Sequence, residues 1–298
     1  MSKPVAATPA LLADWPLPRV RADSDKEDRG RVLVMAAGAE VAGATLLTAQ
    51  AALRAGAGKL QICAPRSLAV PLALALPEAR VIPAPETAAG ELAPQAASGL
   101  GEALQRCDVA VAGPGMLDEE AAGEIALRLA DRERTALVID AAALVGLARD
   151  PARAARHLGG LVLTPHMGEM AALLGCADTK VQADPLAAAR AAAQRFQAVV
   201  ALKGHETVIA TPQGETWRHV GQAVGLATSG SGDVLAGLIA GLIARGASPA
   251  QAAVWGVFVH GQAGERLAER VGRLGYLARE LLDEIAPALN GLEAAGEA

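Results

Sequence analysis

An α/β domain with a central, mostly parallel sheet flanked by helices is the fold this sequence predicts, and three observations predict it. Short apolar runs alternate with alanine-rich stretches of helical period, the pattern of repeated βα units. Those runs are continuously apolar, as parallel strands covered on both faces must be. The 298 residues are 52% hydrophobic but only 2% aromatic, so alanine, leucine, valine and glycine must do the packing. That composition suits helices laid closely on a sheet. A single unit is expected, since α/β folds often run to about 200–250 residues in one piece.

The elements follow in order. Residues 1–20 contain Pro4, Pro9, Asp14 and Pro16, which interrupt any apolar leader, and are expected as an extension outside the core. Strands are expected at 32–35, 60–64 and 79–82, with a helix at 44–54 after the first and a proline-bearing loop at 83–94. A strand at 109–112, a helix at 121–130, strands at 136–139 and 161–163, helices at 167–174 and 185–197, and a strand at 199–202 complete the βα rhythm. Beyond Lys203 the period changes, and 207–210 with 216–220 read as a hairpin around Pro212, Gln213 and Gly214. Helices are then expected at 232–244, 249–268 and 278–289. In the first of these Val234, Leu235, Leu238, Ile239, Leu242 and Ile243 are in register, and Gly237 and Gly241 open a groove for close packing. The expected division is therefore one domain over 21–292 and a tail at 293–298.

Composition also excludes partners. A net charge of −5 gives no broad positive field, which argues against nucleic acid or an anionic membrane as the main partner. The longest apolar stretch, 234–244, is far short of the roughly 20 residues that a membrane span needs. Cys63, Cys107 and Cys176 are odd in number, far apart and in no CxxC arrangement, so neither a disulfide framework nor a zinc site is expected. A reducing cytoplasm is the natural compartment.

The most informative segment is Ala227-Thr228-Ser229-Gly230-Ser231-Gly232-Asp233, a small-residue loop running straight into an apolar helix. Amides at a helix start, with no bulky side chain in the way, make a site for phosphate oxygens. In the first turn, the Asp233 carboxylate is placed to take a proton from a hydroxyl while the loop holds a phosphoryl group. It is equally explained as an acid facing the positive end of a helix. The loop lacks the Lys-Ser/Thr ending of a P-loop, which disfavours an ordinary P-loop NTPase.

Each further motif carries two readings. Gly113-Pro114-Gly115 follows a strand and allows a ligand close to the backbone, or is an ordinary βα turn. His166 follows Thr164 and Pro165 at the sheet's C-terminal edge, where α/β proteins bind ligands, or is structural. Lys203, ending a strand before Gly204, is a point charge for phosphate with the Thr207 hydroxyl nearby, or a solvated lysine. Asp140, at the end of an apolar strand, is a candidate for positioning magnesium or water. His157, His219 and His260 are read as structural.

Taken together, these segments resemble the ADP-dependent NAD(P)H-hydrate dehydratases, of the ribokinase-like superfamily. The Gly-Ser-Gly-Asp core at 230–233 resembles the superfamily's GGTGD loop. Gly43-Ala44 and the ALRAGAGK-like run to Lys59, the GPG turn at 113–115, Asp140-Ala141, the TPHxGE motif at 164–169 and the LKGxxTVI segment at 202–209 narrow the match. They occur in the family's order and span about Lys26 to Leu289.

The resemblance implies a three-layer ribokinase-like fold and a repair reaction in which hydrated NADH or NADPH is dehydrated, with ADP converted to AMP and phosphate. It implies that Asp233 is the catalytic base and that Ala44, Gly115, His166 and Asp233 face the hydrate. By the same resemblance Lys203, Gly204, His205, Glu206, Thr207, Gly230, Ser231 and Gly232 form the adenine-nucleotide site, with Mg²⁺ on the phosphates and ATP as an alternative to ADP. Metal ligands are not assigned.

Departures from the pattern are Ala36-Ala37-Gly38 with Val41 where the family has a GGS loop and a tyrosine, Asp140-Ala141-Ala142 in place of a DAD, and Ser229 for a glycine. The chain has no room for the epimerase domain fused to some members, so a separate epimerase is the expected pathway partner. The alanine-rich helices allow a homo-oligomer. Two other readings stand beside this one: a ribokinase-like kinase of a small alcohol of the hydroxyethylthiazole or hydroxymethylpyrimidine type, and a non-enzymatic nucleotide-binding protein.

Overall fold

A computed structural model describes residues 3–21, 23–36, 38–132 and 134–295. Ten strands form one sheet: β1 (Val5–Ala6), β2 (Arg31–Met35), β3 (Lys59–Pro65), β4 (Ala79–Ala84), β5 (Val109–Ala112), β6 (Ala136–Ile139), β7 (Leu161–Leu163), β8 (Val199–Leu202), β9 (Glu206–Ala210) and β10 (Thr216–Val220). Their order is β1-β10-β9-β8-β7-β6-β5-β2-β3-β4. Neighbours are parallel except where β9 turns back between β8 and β10. The hairpin expected after Lys203 is this pair.

The continuously apolar strands feed two cores at once, because successive side chains leave a strand on opposite faces. Val32, Val34, Val109, Val111, Val138, Val162, Val199 and Ala201 enter one core, shared with the helices Ala42–Arg54, Ser231–Ala244, Pro249–Arg270 and Ala278–Ala295. Leu33, Met35, Ala110, Ala112, Leu137, Ile139, Leu161, Leu163, Val200 and Leu202 enter the other, beneath Glu119–Ala130, Ala142–Leu147, Met167–Leu174 and Pro185–Phe196. This is the three-layer arrangement that a ribokinase-like chain is expected to have.

Two packing features fix the site. Gly237 and Gly241 lie so close to the backbone of the helix Ala42–Arg54 that any side chain at either would run into the carbonyls of Thr48 and Ala52. The helix Ser231–Ala244 is thereby seated at a fixed depth, and its first turn with it. The strand order also reverses between β5 and β2, on either side of which the chain leaves the sheet in opposite directions. Clefts form at the carboxyl ends of strands around such a point.

The ends of the chain differ from expectation. Of the extension expected at 1–20, the described residues 3–20 are not outside the core: β1 pairs parallel with β10, Leu12 and Leu17 are buried, and Trp15 stacks on Trp217 with ring centroids 5.6 Å apart. The Trp15 carbonyl also accepts from Trp255 Nε1 at 2.9 Å. At the other end the last helix runs to Ala295 and Glu293 pairs with Arg245 at 2.7 Å, so the tail expected from 293 is helical at its start. Short helices such as Arg66–Ala75, Ala142–Leu147 and Asp178–Ala183 were not expected. Of the departing first loop, Ala37 lies outside the described residues.

Candidate active site

Three consecutive strands of the sheet lead into one cleft. β6 leads to Asp140, β7 to Thr164 and His166, and β8 to Lys203, whose amide donates to the Pro165 carbonyl at 2.7 Å. β5 ends at Gly113, with φ +115°, pressed so closely on the Asp140 carbonyl that no side chain fits there. Ala141 takes φ +50°, a conformation that L residues other than glycine rarely adopt, immediately after Asp140. The turn expected at Asp140-Ala141 is thus a strained one that aims the preceding carboxylate into the cleft.

The Asp140 carboxylate is buried, and its Oδ1 accepts from Lys203 Nζ and from Thr164 Oγ1, both at 2.7 Å. Glu169 Oε2 lies 4.0 Å from the same ammonium. Burial works against the charge of Lys203, but the Asp140, Glu169 and Asp233 carboxylates outweigh it and hold its pKa above the ordinary value. Asp140 therefore serves first as the partner of Lys203. Among the described residues no group of three or more His, Cys, Asp or Glu side chains is arranged to hold a metal ion.

Gly230 caps the helix Ser231–Ala244 with φ +89°, a value that suits glycine, and any side chain on Gly232 would come within 3.2 Å of Lys203 Nζ. The ammonium and the helix N-terminus consequently face the same space. Two positive features around one void are what a phosphate group needs. Asp233, in the first turn, is raised to a pKa of about 7: burial pushes it up, the negative Asp140 adds to that, Lys203 opposes it, and Glu169 raises it further.

His166 caps the helix Met167–Leu174. Its Nδ1 accepts from the amides of Gly168 and Glu169 at 3.1 and 3.2 Å, while Glu169 Oε2 accepts from the His166 amide at 2.7 Å. Because Nδ1 is an acceptor, Nε2 carries the ring hydrogen, and the side chain is 60% exposed to the cleft side. Both readings of His166 are thus physically compatible, since one nitrogen caps while the other, 3.4 Å from Glu169 Oε1, carries its hydrogen on an exposed side chain.

The cavity has a volume of about 700 Å³ and collects most of the expected residues: His166, Lys203, Gly204, His205, Thr207, Gly230, Ser231, Gly232 and Asp233 all line it. Glu206 does not, and pairs instead with Arg218 at 3.7 Å. Ala44 and Gly115 lie outside the lining as well. They meet each other at the reversal point, where Gly115 adopts φ +70° within reach of the Ala44 methyl and accepts from the Gly38 amide at 2.9 Å.

His219 and His260, read as structural, also line the cavity, as does Glu169. Their position comes from β10 and the helix Pro249–Arg270 closing over the cleft, and no local signal marks them. His157, by contrast, is buried away from it with Nδ1 3.1 Å from the Ala130 carbonyl.

Comparison with known proteins adds four findings. A family profile described as NAD(P)H-hydrate dehydratase matches residues 32–287. The chain is 46% identical to the ADP-dependent (S)-NAD(P)H-hydrate dehydratase of Xanthomonas campestris pv. campestris over 286 residues, covering 96% of each chain. It is 41% identical to the bifunctional NAD(P)H-hydrate repair enzyme of Moorella thermoacetica, covering 95% of this chain but only 54% of that one. Among solved structures, the ADP/ATP-dependent NAD(P)H-hydrate dehydratase of Bacillus subtilis, co-crystallised with ATP/Mg²⁺, superposes with a TM-score of 0.84 at 28% identity, covering 98% of this chain and all of that one.

Proposed function

We infer the chemistry of the cleft from a plain premise: this chain belongs to the NAD(P)H-hydrate dehydratase family. It is an ADP-dependent hydro-lyase that restores NADH or NADPH from the water adduct of the nicotinamide ring, leaving AMP and phosphate. The observation that carries the mechanism is Asp233, a carboxylate with a pKa near 7 in the first turn of a helix whose N-terminus faces the same void as Lys203. A base poised near the working pH is the efficient one.

In the proposed sequence Asp233 takes the proton of the ring hydroxyl. The oxygen attacks the terminal phosphorus of ADP, and the phosphoanhydride bond breaks to release AMP. The carbon–oxygen bond of the phosphorylated adduct then breaks, the adjacent ring carbon loses a proton, and the double bond reforms as phosphate departs. Lys203 and the amides of Gly230 and Gly232 hold the phosphates in line, so the protein supplies position and charge. Mg²⁺ fits this site as a partner of the nucleotide, because its preference is for phosphate oxygens, water and one or two carboxylates, and the Asp140 Oδ2 stands toward Gly232. When bound it neutralises phosphate charge.

The hydrate is placed by Asp233 and His166, with Ala44 and Gly115 at its far side, while Glu206 pairs with Arg218 and does not contact the nucleotide. A cytoplasmic setting suits the three unpaired cysteines, and no described helix is long and apolar enough to cross a membrane. A separate epimerase and self-association remain proposed partnerships. The test is incubation with ADP and hydrated NADH: return of NADH absorbance with matching AMP supports the reading. Accumulation of a phosphorylated alcohol makes the protein a kinase, and binding without turnover makes it a nucleotide-binding protein.

Two outcomes follow for binding. ADP at about 100 times its Kd, without hydrate, is expected to stabilise the fold by about 2.7 kcal/mol and raise its melting temperature. Calorimetry that detects no ADP binding at millimolar concentration counts against the phosphate site. For His166, serine is the informative replacement, because it remains a good helix cap but carries no side-chain N–H. His166→Ser is expected to raise the KM for hydrate while leaving stability and ADP affinity near wild type. An unchanged hydrate KM would reduce His166 to its capping role.

A further inference from the structure

We infer that His260 is a positioning residue for the nucleotide phosphates, acting through the hydroxyl of Ser231; this rests on the nucleotide reading of the cleft given above. His260 Nε2 lies 3.0 Å from Ser231 Oγ and 3.1 Å from the Ser231 carbonyl oxygen. A carbonyl only accepts, so the nitrogen that faces it must carry the hydrogen. Nε2–H is then shared between the carbonyl and Oγ, and Oγ serves as an acceptor toward the imidazole. The hydroxyl keeps its own hydrogen for a third group.

That third group can only approach from the cleft, which Ser231 lines while otherwise buried. The Ser231 amide is already used, donating to the Thr228 carbonyl at 3.3 Å. Its hydroxyl is therefore what this residue has left to offer an anion at the helix start. Without His260 the hydroxyl would rotate freely and could spend its hydrogen on its own backbone, as serines at helix starts do. With His260 in place the donor is aimed before the ligand arrives, which removes an ordering cost from binding.

The imidazole is itself held. It sits on the helix Pro249–Arg270, which packs against Ser231–Ala244, and burial depresses its pKa to about 4, with the Ser231 backbone hydrogen bond opposing and Lys203 adding to the effect. It is thus a neutral donor beside a phosphate site, supplying direction rather than charge. The next residue, Gly261, has no room for a side chain because His219 fills that space, which keeps the helix close at this level.

The test is ADP affinity by titration calorimetry in a double-mutant cycle on the full chain. His260→Phe fills the same space without a donor and is expected to weaken ADP binding about tenfold, the scale of one hydrogen bond to a charged group. His260→Gln, whose amide nitrogen reaches the position of Nε2, is expected to return affinity to within about threefold of wild type. In a Ser231→Ala background the Phe change is expected to cost nothing more, because its only route is through the missing hydroxyl. A His260→Phe protein with wild-type ADP affinity, or an equal loss with and without the Ser231 hydroxyl, overturns the inference. If the Phe variant does not fold, Ser231→Ala alone decides: it must lose the same factor, and unchanged affinity overturns the inference. A wild-type chain that binds no ADP removes the nucleotide reading itself, which the other outcomes leave intact.

Discussion

Asp233→Asn is expected to leave a folded protein that binds ADP yet turns over at least about 10²-fold more slowly. Asparagine keeps the shape and the hydrogen-bonding reach at the first turn but does not accept the hydroxyl proton. In the wild type, with Asp233 titrating near 7, kcat/KM should climb with pH through that region and level above it, since the ionised form is the base. The variant should lack this limb. Stability separates the two roles of the residue by sign. An Asp raised from its ordinary value to about 7 binds its proton more tightly in the folded chain than in the unfolded one. Its contribution is therefore fully present below the unfolded pKa and lost as pH rises through about 7, where ionised Asp233 strains the fold. Asn never ionises, so the variant should melt higher than wild type at pH 8, on the order of a few kcal/mol at most, and the gap should close toward about pH 4. A carboxylate serving only the helix end would give the opposite, a loss of about 0.3–1 kcal/mol with the rate nearly intact. A folded Asp233→Asn protein that dehydrates hydrate at close to the wild-type rate sinks the mechanism.

How much of this could be read from residues alone depended on where the determining contact lies. The strands at 109–112, 136–139, 161–163 and 199–202 coincide with β5 to β8, because burial on both faces writes itself into runs of three or four consecutive apolar positions. β1 is only Val5–Ala6, paired with Trp217 and Arg218 more than two hundred positions later, and no local pattern could announce that. The helix Arg66–Ala75 holds Pro71 in its interior, the residue that most strongly argues against a helix. In the site, Asp233 and Lys203 were legible because a glycine-rich loop and a strand end carry their own grammar. The Lys203–Asp140 pair spans 63 positions, and His260 reaches Ser231 from a helix of its own, so only the fold brings them together.

That pair supports the second large effect. Lys203→Met should lower stability at neutral pH by about 3–5 kcal/mol, the usual penalty for leaving a buried charge without its partner. The Asp140 side chain is 3% exposed, and without the ammonium only the Thr164 hydroxyl, among the described residues, still donates to it, while Glu169 and Asp233 stand nearby with charge of the same sign. Losing the cation raises the pKa of Asp233, which Lys203 otherwise lowers. A raised folded value means that destabilisation grows with pH, so the difference in melting temperature from wild type should be larger at pH 8 than at pH 5. Asp233 loses the one neighbour that lowers its pKa, so the rising limb of any residual activity should move above pH 7. ADP affinity should fall at least tenfold, because a charged donor to phosphate is gone. Pairing the change with Asp140→Asn separates the effects: Lys203→Met/Asp140→Asn should regain most of the stability, since no orphaned carboxylate remains at that position, but none of the ADP affinity. Should the double variant be no more stable than Lys203→Met, the buried ion pair does not hold this edge of the cleft together; should it bind ADP like wild type, Lys203 serves Asp140 alone and the phosphates find their charge elsewhere.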